Sequence, residues 1–276
     1  MLDAQGRIRS LAGIVPDLTY DVLAPHGLAQ LRTLDPMRLP LVEGTPRLGP
    51  PVAQPRQFMA LGLNYVLHAK EANVPIPKHP LVFSKAITSI SGPNDDIPLY
   101  PGSVKLDYEA ELALVIGKRA TRVSADEALD YVFGYVPFMD ISARGTGGRT
   151  MFQGKSYDTF GPLGPAIVTA DEIADPHALE VRLSVNGQLR QRYSTADMAN
   201  RIPQLIEYAS HVCTLEPGDV IATGTNHQGL GPVQDGDSVA LEIPGLGTLT
   251  VNVTDERKRV WSREIDQEMA KMVRGM

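Results

Sequence analysis

Two glutamates separated by one residue, Glu109 and Glu111, are the residues of this sequence best suited to chemistry. They lie in residues 106–118, where acidic and apolar residues alternate with a period of two, as in a β-strand. The alternation places both carboxylates on one face, with Cα atoms roughly 6.5 Å apart. Burying two like charges is costly unless a positive charge neutralises them, and a hard divalent cation such as Mg²⁺, Mn²⁺ or Ca²⁺ can do so.

A strand whose acidic face is turned toward solvent would show the same alternation. From the two glutamates alone, a metal site and a solvated acidic edge therefore stay open as alternatives. Asp140 ends an apolar stretch, residues 133–141, that predicts a strand, and it is a candidate third carboxylate. The alternative is that Asp140 caps a turn and pairs with Arg144 at the surface.

His68 and Glu71 stand three residues apart in residues 65–73, which predict a short helix capped by Asn64. Side chains at this spacing share a helix face. A carboxylate can then hold one imidazole nitrogen while the other nitrogen accepts a proton from water. An exposed helical His–Glu pair is the alternative interpretation.

Lys155 lies between a glycine-rich segment and a predicted strand, where its ammonium group can balance the acidic residues and stabilise a developing oxyanion. An ordinary surface lysine is the alternative. A second glycine-rich segment, residues 224–231, follows the apolar run at residues 220–222. Such a loop can bring backbone N–H groups close to a ligand carboxylate, although turn geometry alone also accounts for its glycines.

The elements that must position these residues are mostly strands. The chain has 25 glycines and 22 prolines and few long helical patterns, which predicts a turn-rich, mainly β fold with short peripheral helices, of the α+β class. Strands are predicted at residues 58–63, 81–85 and 133–141, and hairpins at 181–193, around Asn186-Gly187, and at 238–253. Helices are predicted at residues 26–34, at 124–132 behind a Ser124-to-Glu127 capping box, at 203–212 and in the tail from 256.

Six prolines between residues 36 and 55 predict an extended connector. We therefore expect a small N-terminal segment and proline-rich connector at residues 1–56, and a catalytic domain at residues 57–276. The net charge of −6 argues against nucleic-acid binding. No stretch approaches the ~20 apolar residues of a membrane span, and no signal peptide is evident. We expect a cytoplasmic protein without membrane or nucleic-acid partners.

The chain resembles the fumarylacetoacetate hydrolase family over residues 58–253, because a series of short motifs occurs in that family's order. Asp140 and Arg144 belong to the series, as do His68 and Glu71. The other motifs are GLNY at 62–65, FSK at 83–85, SGP at 91–93, DYEAEL at 107–112, GY at 134–135, GKSYD at 154–158, NG at 186–187, LEPGDVI at 215–221 and TGT at 223–225.

The resemblance implies a β-roll of mixed sheets with short helices, assembled as a homodimer. It implies Mg²⁺ or Mn²⁺ held by Glu109, Glu111 and Asp140. His68 and Glu71 would form a water-activating dyad on a lid that orders when ligand binds, and Lys155 would stabilise charge near the metal. Substrate binding would fall to residues around this centre, with Thr225 on the substrate carboxylate; the candidates are Tyr65, Arg144, Gln153, Thr225 and Asn226.

The activity that the resemblance implies is cleavage of a C–C bond in a short 2,4-diketo acid of the acylpyruvate type by activated water. The alternative is an isomerase, tautomerase or decarboxylase that acts on a related 2-oxo or 2-hydroxymuconate-type acid through a metal-bound enolate. A metabolite-binding module without catalysis is a third hypothesis, which the complete set of metal and dyad residues disfavours.

Two departures from the family pattern fall in the predicted substrate pocket. Many members follow the arginine with Asp-x-Gln, whereas Arg144 is followed by residues 145–149, GTGGR, so that Gln153 becomes the candidate replacement. Many members also read Gly-Thr-Pro where this chain has Gly-Thr-Asn-His at residues 224–227. His227 is therefore expected to add a polar contact near the substrate tail.

Overall fold

The computed structural model describes residues 1–145 and 150–264. Within these residues the α-helices are short, and the longest has 11 residues. They are α1 (Tyr20–Leu23), α2 (Pro25–Arg32), α3 (Val66–Ala72), α4 (Met151–Lys155) and α5 (Ile202–Val212). Single 3₁₀ turns occur at Pro36–Arg38, Ile87–Ser89, Ala128–Tyr131, Ala170–Glu172 and Thr195–Asp197. None of the helices in this part of the chain is long and apolar enough to cross a membrane.

Strands make up most of the regular structure. In chain order they are β1 (Phe58–Gly62), β2 (Leu81–Ser84), β3 (Ile90–Ser91), β4 (Asp96–Pro98), β5 (Lys105–Asp107), β6 (Ala110–Ile116), β7 (Val132–Met139), β8 (Ser142–Arg144), β9 (Gly161–Pro162), β10 (Val168–Thr169), β11 (Glu180–Val185), β12 (Gln188–Ser194), β13 (Val220–Ala222), β14 (Pro232–Val233), β15 (Ser238–Ile243) and β16 (Gly247–Thr254).

Two large sheets enclose the core. One has the order β10-β7-β6-β13-β1-β2, and the other has the order β12-β11-β15-β16-β4. Each is mixed, because β1 pairs parallel to β13 and β16 pairs parallel to β4 while the other neighbours are antiparallel. Two smaller sheets, β14-β5-β8 and β3-β9, join them. The predicted fold class, mainly β with mixed sheets and short helices, is confirmed.

Strand β6 is buried on both faces. Leu112 and Leu114 belong to a large apolar cluster that also contains the inward side chains of the five-stranded sheet. Val115 faces a second cluster, to which the N-terminal segment contributes Leu23 and Val52. The period of two therefore reflects two buried faces, and the solvated acidic edge is excluded. The domain division at residue 56 stays a prediction.

The local turn signals in the C-terminal half are confirmed. Asn186 and Gly187 have φ angles of 50° and 78°, as a two-residue type I′ turn between β11 and β12 requires. Strands β15 and β16 pair as an antiparallel hairpin. Helix α5 has proline in its first turn, as predicted.

Three predictions about local structure were wrong. Residues 106–118 do not form one strand, because β5 and β6 belong to different sheets and the chain turns between them. Asn64 does not cap α3; its side-chain amide donates instead to the carbonyl oxygens of Asn200 and Thr223, at 3.1 and 2.8 Å. The Ser124 segment forms a 3₁₀ turn at Ala128–Tyr131, since β7 begins at the next residue and leaves no room for an α-helix.

The predicted tail helix falls partly outside the described residues, and residues 256–264 are not helical.

Substituting Leu114 by alanine tests the packing of the buried strand. Leu114 is completely buried, so Leu114→Ala removes apolar contacts and leaves a cavity, and we expect the free energy of unfolding to fall by about 2–5 kcal/mol. Leu189→Ala is the matched control, because Leu189 also lies in a strand but is 53% exposed. Urea denaturation measures both variants. Equal losses in the two would contradict the assignment of the core.

Candidate active site

Three carboxylates converge in the interior. One oxygen of each of Glu109, Glu111 and Asp140 lies within 4.8 Å of the other two. The three residues are 4%, 1% and 1% exposed. The acidic residues predicted from separate segments are therefore brought together out of contact with bulk water, at distances that one ion can bridge.

Strand register explains the convergence. The β6–β7 ladder pairs Ala110 with Met139, so that Glu109 and Asp140 face each other just beyond its end. The Asp140 N–H donates to the Glu109 carbonyl at 2.9 Å. Both residues stand where the chain leaves the six-stranded sheet, since β5 and β8 pair with each other in another sheet. Glu111 lies two residues further along the chain on β6, so its side chain points to the same face as that of Glu109.

Two buried lysines and an arginine surround the carboxylates. The Lys155 Nζ lies 2.6 Å from Glu109 Oε2 and 2.6 Å from Asp140 Oδ2. The Lys85 Nζ lies 2.5 Å from Asp140 Oδ1. Arg144 donates to Glu109 Oε1 at 2.7 Å and to Asp107 Oδ2 at 2.9 Å. The alternatives of a surface Asp140–Arg144 pair and an ordinary surface Lys155 are thus wrong.

The carboxylates differ in how their charge is compensated. Although burial raises it, Lys155 and Arg144 hold the pKa of Glu109 well below its ordinary value. Burial and the nearby Asp140 charge raise the pKa of Glu111 well above its ordinary value. In the part of the chain that the structure describes, no lysine or arginine forms an ion pair with Glu111, and the Gly224 N–H donates to its Oε2 at 2.8 Å.

The donor set fits a hard divalent cation. Carboxylate oxygens are the ligands that Mg²⁺, Mn²⁺ and Ca²⁺ prefer, and three of them meet here. Among the described residues Glu111 has no lysine or arginine in an ion pair with it, so a cation held between Glu109, Glu111 and Asp140 would supply the missing positive charge. These residues are therefore candidate ligands of a divalent metal ion.

The predicted hydrogen bond between Glu71 and His68 is not formed. His68, on α3, is 5% exposed, and neither of its ring nitrogens has a hydrogen-bond partner among the described residues. Oε2 of Glu71 is likewise unpartnered. The His68 ring stacks instead on His227, with ring centroids 3.7 Å apart and an angle of 27° between the planes. The His68 imidazole therefore contacts His227 in the loop after β13, and is not hydrogen-bonded to Glu71.

Both imidazoles are neutral at neutral pH. Burial lowers the pKa of His68 to about 4, although the Glu109 charge opposes the shift. Burial and the neighbouring His68 lower the pKa of His227 well below its ordinary value. Nε2 of His227 lies 3.8 Å from Glu109 Oε1. A neutral imidazole with a free ring nitrogen can accept a proton beside the carboxylate cluster.

The candidate substrate-binding residues differ in how far they are buried. Thr225 and Asn226 are buried in the loop that follows β13, and the Asn226 Nδ2 has no hydrogen-bond partner within residues 1–145 and 150–264. Tyr65 is completely buried, and its ring packs edge-on against Tyr193 at 4.9 Å between centroids. Gln153 is exposed on α4, beside the Tyr157 hydroxyl. Of these four candidates, Gln153 is the one that stands at the surface.

Three further residues of the site were missed by the sequence reasoning. Lys85 appeared in a family motif without a role, yet its ammonium group is buried against Asp140. Asp107 orients Arg144. Gln191 is fully buried in β12, where its amide donates to Thr225 Oγ1 and the Asn226 carbonyl and accepts from the Ala110 N–H. A lone glutamine in a polar strand carries no sequence signal for this role.

Replacing Glu111 by glutamine tests the metal site. Bound Mn²⁺ stabilises the folded state, by about 2.7 kcal/mol at a hundredfold excess over its dissociation constant. We expect Mn²⁺ or Mg²⁺ to raise the melting temperature of the wild type and to leave that of Glu111→Gln nearly unchanged. Glu242→Gln, at an exposed position, is the control. A full metal-induced shift in Glu111→Gln would remove Glu111 from the ligand set.

The raised pKa of Glu111 also predicts a pH dependence of the metal-free protein. Above about pH 4.5 a glutamate in the unfolded chain ionises, while buried Glu111 keeps its proton. The wild type therefore loses stability relative to Glu111→Gln as the pH rises from this value toward the folded-state pKa. Urea denaturation with a chelator at several pH values measures the difference, and a constant difference contradicts the assignment.

Comparison with known proteins agrees with this geometry. The family model for the C-terminal part of fumarylacetoacetate (FAA) hydrolase matches residues 57–254. A curated relative from Burkholderia multivorans, provisionally named a hydrolase, is 48% identical over 257 residues, which cover 90% of this chain and 91% of the relative.

Two solved structures with similar folds have named activities. The 5-carboxymethyl-2-hydroxymuconate delta-isomerase from Mycobacterium smegmatis has a TM-score of 0.69 and 41% identity, over 76% of this chain and 80% of that one. The maleylpyruvate hydrolase from Sphingobium sp. SYK-6, in complex with manganese(II) and pyruvate, has a TM-score of 0.67 and 37% identity, over 83% and 80% of the two chains. The chain belongs to the fumarylacetoacetate hydrolase family.

Proposed function

We propose that this chain is a divalent-metal-dependent hydrolase that cleaves a C–C bond in a short 2,4-diketo acid of the acylpyruvate type. The observation that carries the proposal is the convergence of three buried carboxylates beside the neutral imidazole of His68. The similarity to a maleylpyruvate hydrolase with manganese and pyruvate supports both the chemistry and the metal class. Mg²⁺ and Mn²⁺ suit the oxygen ligands equally, so we propose either ion.

Glu109, Glu111 and Asp140 would hold the ion, whose chemistry there is Lewis-acid polarisation of the substrate oxygens. Arg144 keeps Glu109 in place, because its guanidinium group bridges Glu109 and Asp107. These contacts fix the ligand side chains before substrate arrives, so that little reorganisation accompanies the reaction.

His68 acts as the general base. Its ring is neutral, so it takes a proton from water while the water oxygen forms a bond to the distal carbonyl carbon. The C–C bond then breaks, and its electron pair stays with the 2-oxo acid fragment. Lys155, whose ammonium group lies against Glu109 and Asp140, stabilises the negative charge that develops on that fragment. A proton returned to the fragment's carbon completes the reaction.

Thr225 and Asn226 are proposed to bind the substrate. Both are buried in the loop that lies against Glu111, and the Asn226 Nδ2, which has no partner among the described residues, can donate to a carboxylate or carbonyl oxygen. Tyr65 and Arg144 complete the proposed set, since the charge of Glu111 acts on the Tyr65 hydroxyl and Arg144 donates to Glu109. Gln153 would need to turn inward from its exposed position on α4. Homodimeric assembly is also proposed from the family, and light scattering of the purified chain tests it.

An isomerase is the second candidate. The missing hydrogen bond between Glu71 and His68 favours it, because a proton shuttle between two carbons needs a base but no oriented water. The similarity to a hydroxymuconate delta-isomerase supports the same alternative. A tautomerase or decarboxylase would use the same residues.

Turnover of acylpyruvates, oxaloacetate and muconate-type diacids with Mg²⁺ or Mn²⁺ tests the proposal. We expect loss of enol absorbance, and two products whose masses together equal the substrate plus one water. His68→Ala should lower kcat by about 10²–10⁴-fold, because it removes the base, and should keep the metal-induced rise in melting temperature. His26→Ala, at an exposed position on α2, is the control.

The outcomes separate the candidates. A single product with the mass of the substrate would indicate isomerisation and contradict hydrolysis. Loss of carbon dioxide would indicate decarboxylation. Turnover of His68→Ala at the wild-type rate would refute His68 as the base. Metal-dependent binding of oxalate without turnover of any acid would support the third hypothesis, a metabolite-binding module without catalysis.

A further inference from the structure

Two imidazole rings lie face to face beside the carboxylate cluster. The His68 and His227 centroids are 3.7 Å apart, and both residues are more than nine-tenths buried. Neither nitrogen of His68 has a hydrogen-bond partner among the described residues, and the same holds for Nδ1 of His227. The Thr225 backbone also acts on the His68 ring, and the aromatic contact of that ring is the face of His227.

His227 stands on a loop that is fastened to its surroundings. The Leu230 N–H donates to the His227 carbonyl at 2.9 Å, which closes a turn. Further hydrogen bonds hold the neighbouring residues: Gly224 N–H to Glu111, Gln191 to the Asn226 carbonyl, Gln228 N–H to Asn226 Oδ1, and the Tyr108 hydroxyl to the Gly229 carbonyl. Because β6 provides Glu111 and β12 provides Gln191, the loop that carries His227 is tied to both large sheets.

His68 stands on a weaker support. Helix α3 has seven residues, and the side chain of its N-cap residue, Tyr65, makes no capping hydrogen bond. A helix of this length is marginal without tertiary contacts. The Leu67 N–H donates to Asp197 Oδ2 at 2.9 Å, which anchors the first turn but not the imidazole. Glu71, the residue expected to orient His68, makes no hydrogen bond to it. The stack on His227 is the contact that covers the face of the buried imidazole.

We infer that His227 is a positioning residue that holds the His68 imidazole beside the metal ligands by stacking on its face. This inference rests on the proposed function, in which His68 is the base, and assigns to His227 the orienting role that was predicted for Glu71. Contacts between aromatic rings favour particular mutual orientations. His227 belongs to the segment in which this chain departs from the Gly-Thr-Pro pattern of many family members.

A polar role is the rival explanation, because His227 Nε2 is 3.8 Å from Glu109 Oε1. Three substitutions separate the two roles. His227→Phe keeps a flat ring and removes the nitrogens, His227→Gln keeps a polar group and removes the ring, and His227→Leu removes both. His79→Leu is the matched control, because His79 is exposed and its stacking partner is Tyr208.

With acetylpyruvate and Mn²⁺, we expect His227→Leu and His227→Gln to lower kcat by about 10–100-fold, as for a misplaced catalytic group, with little change in KM. His227→Phe should restore most of the loss, and His79→Leu should behave as wild type. Rescue by glutamine and not by phenylalanine would overturn the inference in favour of the polar role. Equal activity of all variants would overturn it as well.

Proton NMR of the metal-free, full-length protein with isotope-labelled histidine provides a readout that needs no substrate. The ring protons of His68, assigned with His68→Ala, should be shifted by the facing ring in wild type and His227→Phe, and the shift should vanish in His227→Leu. An unchanged His68 spectrum in folded His227→Leu would disprove the stack. If wild type turns over no acid, the proposed function fails, and this spectrum alone decides whether His227 holds His68.

Discussion

The site depends on a balance of buried charge. Around the site, the carboxylates of Asp107, Glu109, Glu111 and Asp140 lie in the interior, and among the described residues the side chains of Lys85, Lys155 and Arg144 form ion pairs with all of them except Glu111. Each buried ion loses several kcal/mol of hydration, and a partner must compensate this loss. The carboxylate that remains is Glu111, which must take up a proton or share a further cation. A divalent ion would resolve the imbalance, so the charge arrangement that lowers the stability of the metal-free protein would also favour metal binding.

The fold can sustain this arrangement because strand pairing fixes it. Glu109 and Asp140 follow the last pair of the β6–β7 ladder, and Glu111 lies inside it. A slip of the ladder by one residue would turn Glu111 to the opposite face of the sheet, so the buried apolar faces that define the register also define the ligand set. Gln191 ties the position of the loop after β13 to β6, since its amide forms hydrogen bonds with both Ala110 and Asn226. The pairing and packing of the strands thus fix the relative positions of side chains that come from distant segments of the chain.

Much of the architecture was predictable because it rests on local signals. Alternation identified β6, the Asn186-Gly187 pair identified a hairpin, and the ordered motifs identified the family. The errors concern interactions whose partners are far apart in the sequence. Asn64 looked like a helix cap, but its amide reaches residues 200 and 223, and His68 looked like the partner of Glu71, but it stacks on residue 227. Nothing in the spacing along one helix indicates which ring another loop will place above it.

The low pKa of His68 bears on how one imidazole can serve both halves of a C–C cleavage. Burial leaves the ring a weak base, so its proton affinity alone does not drive deprotonation of water. An adjacent divalent charge would weaken that affinity further and acidify water at the same time. A ring that holds its proton weakly is a correspondingly strong acid once protonated, and it can return the proton to the departing carbon. Hydrolysis and isomerisation would then differ in whether a water molecule occupies the space between His68 and the substrate.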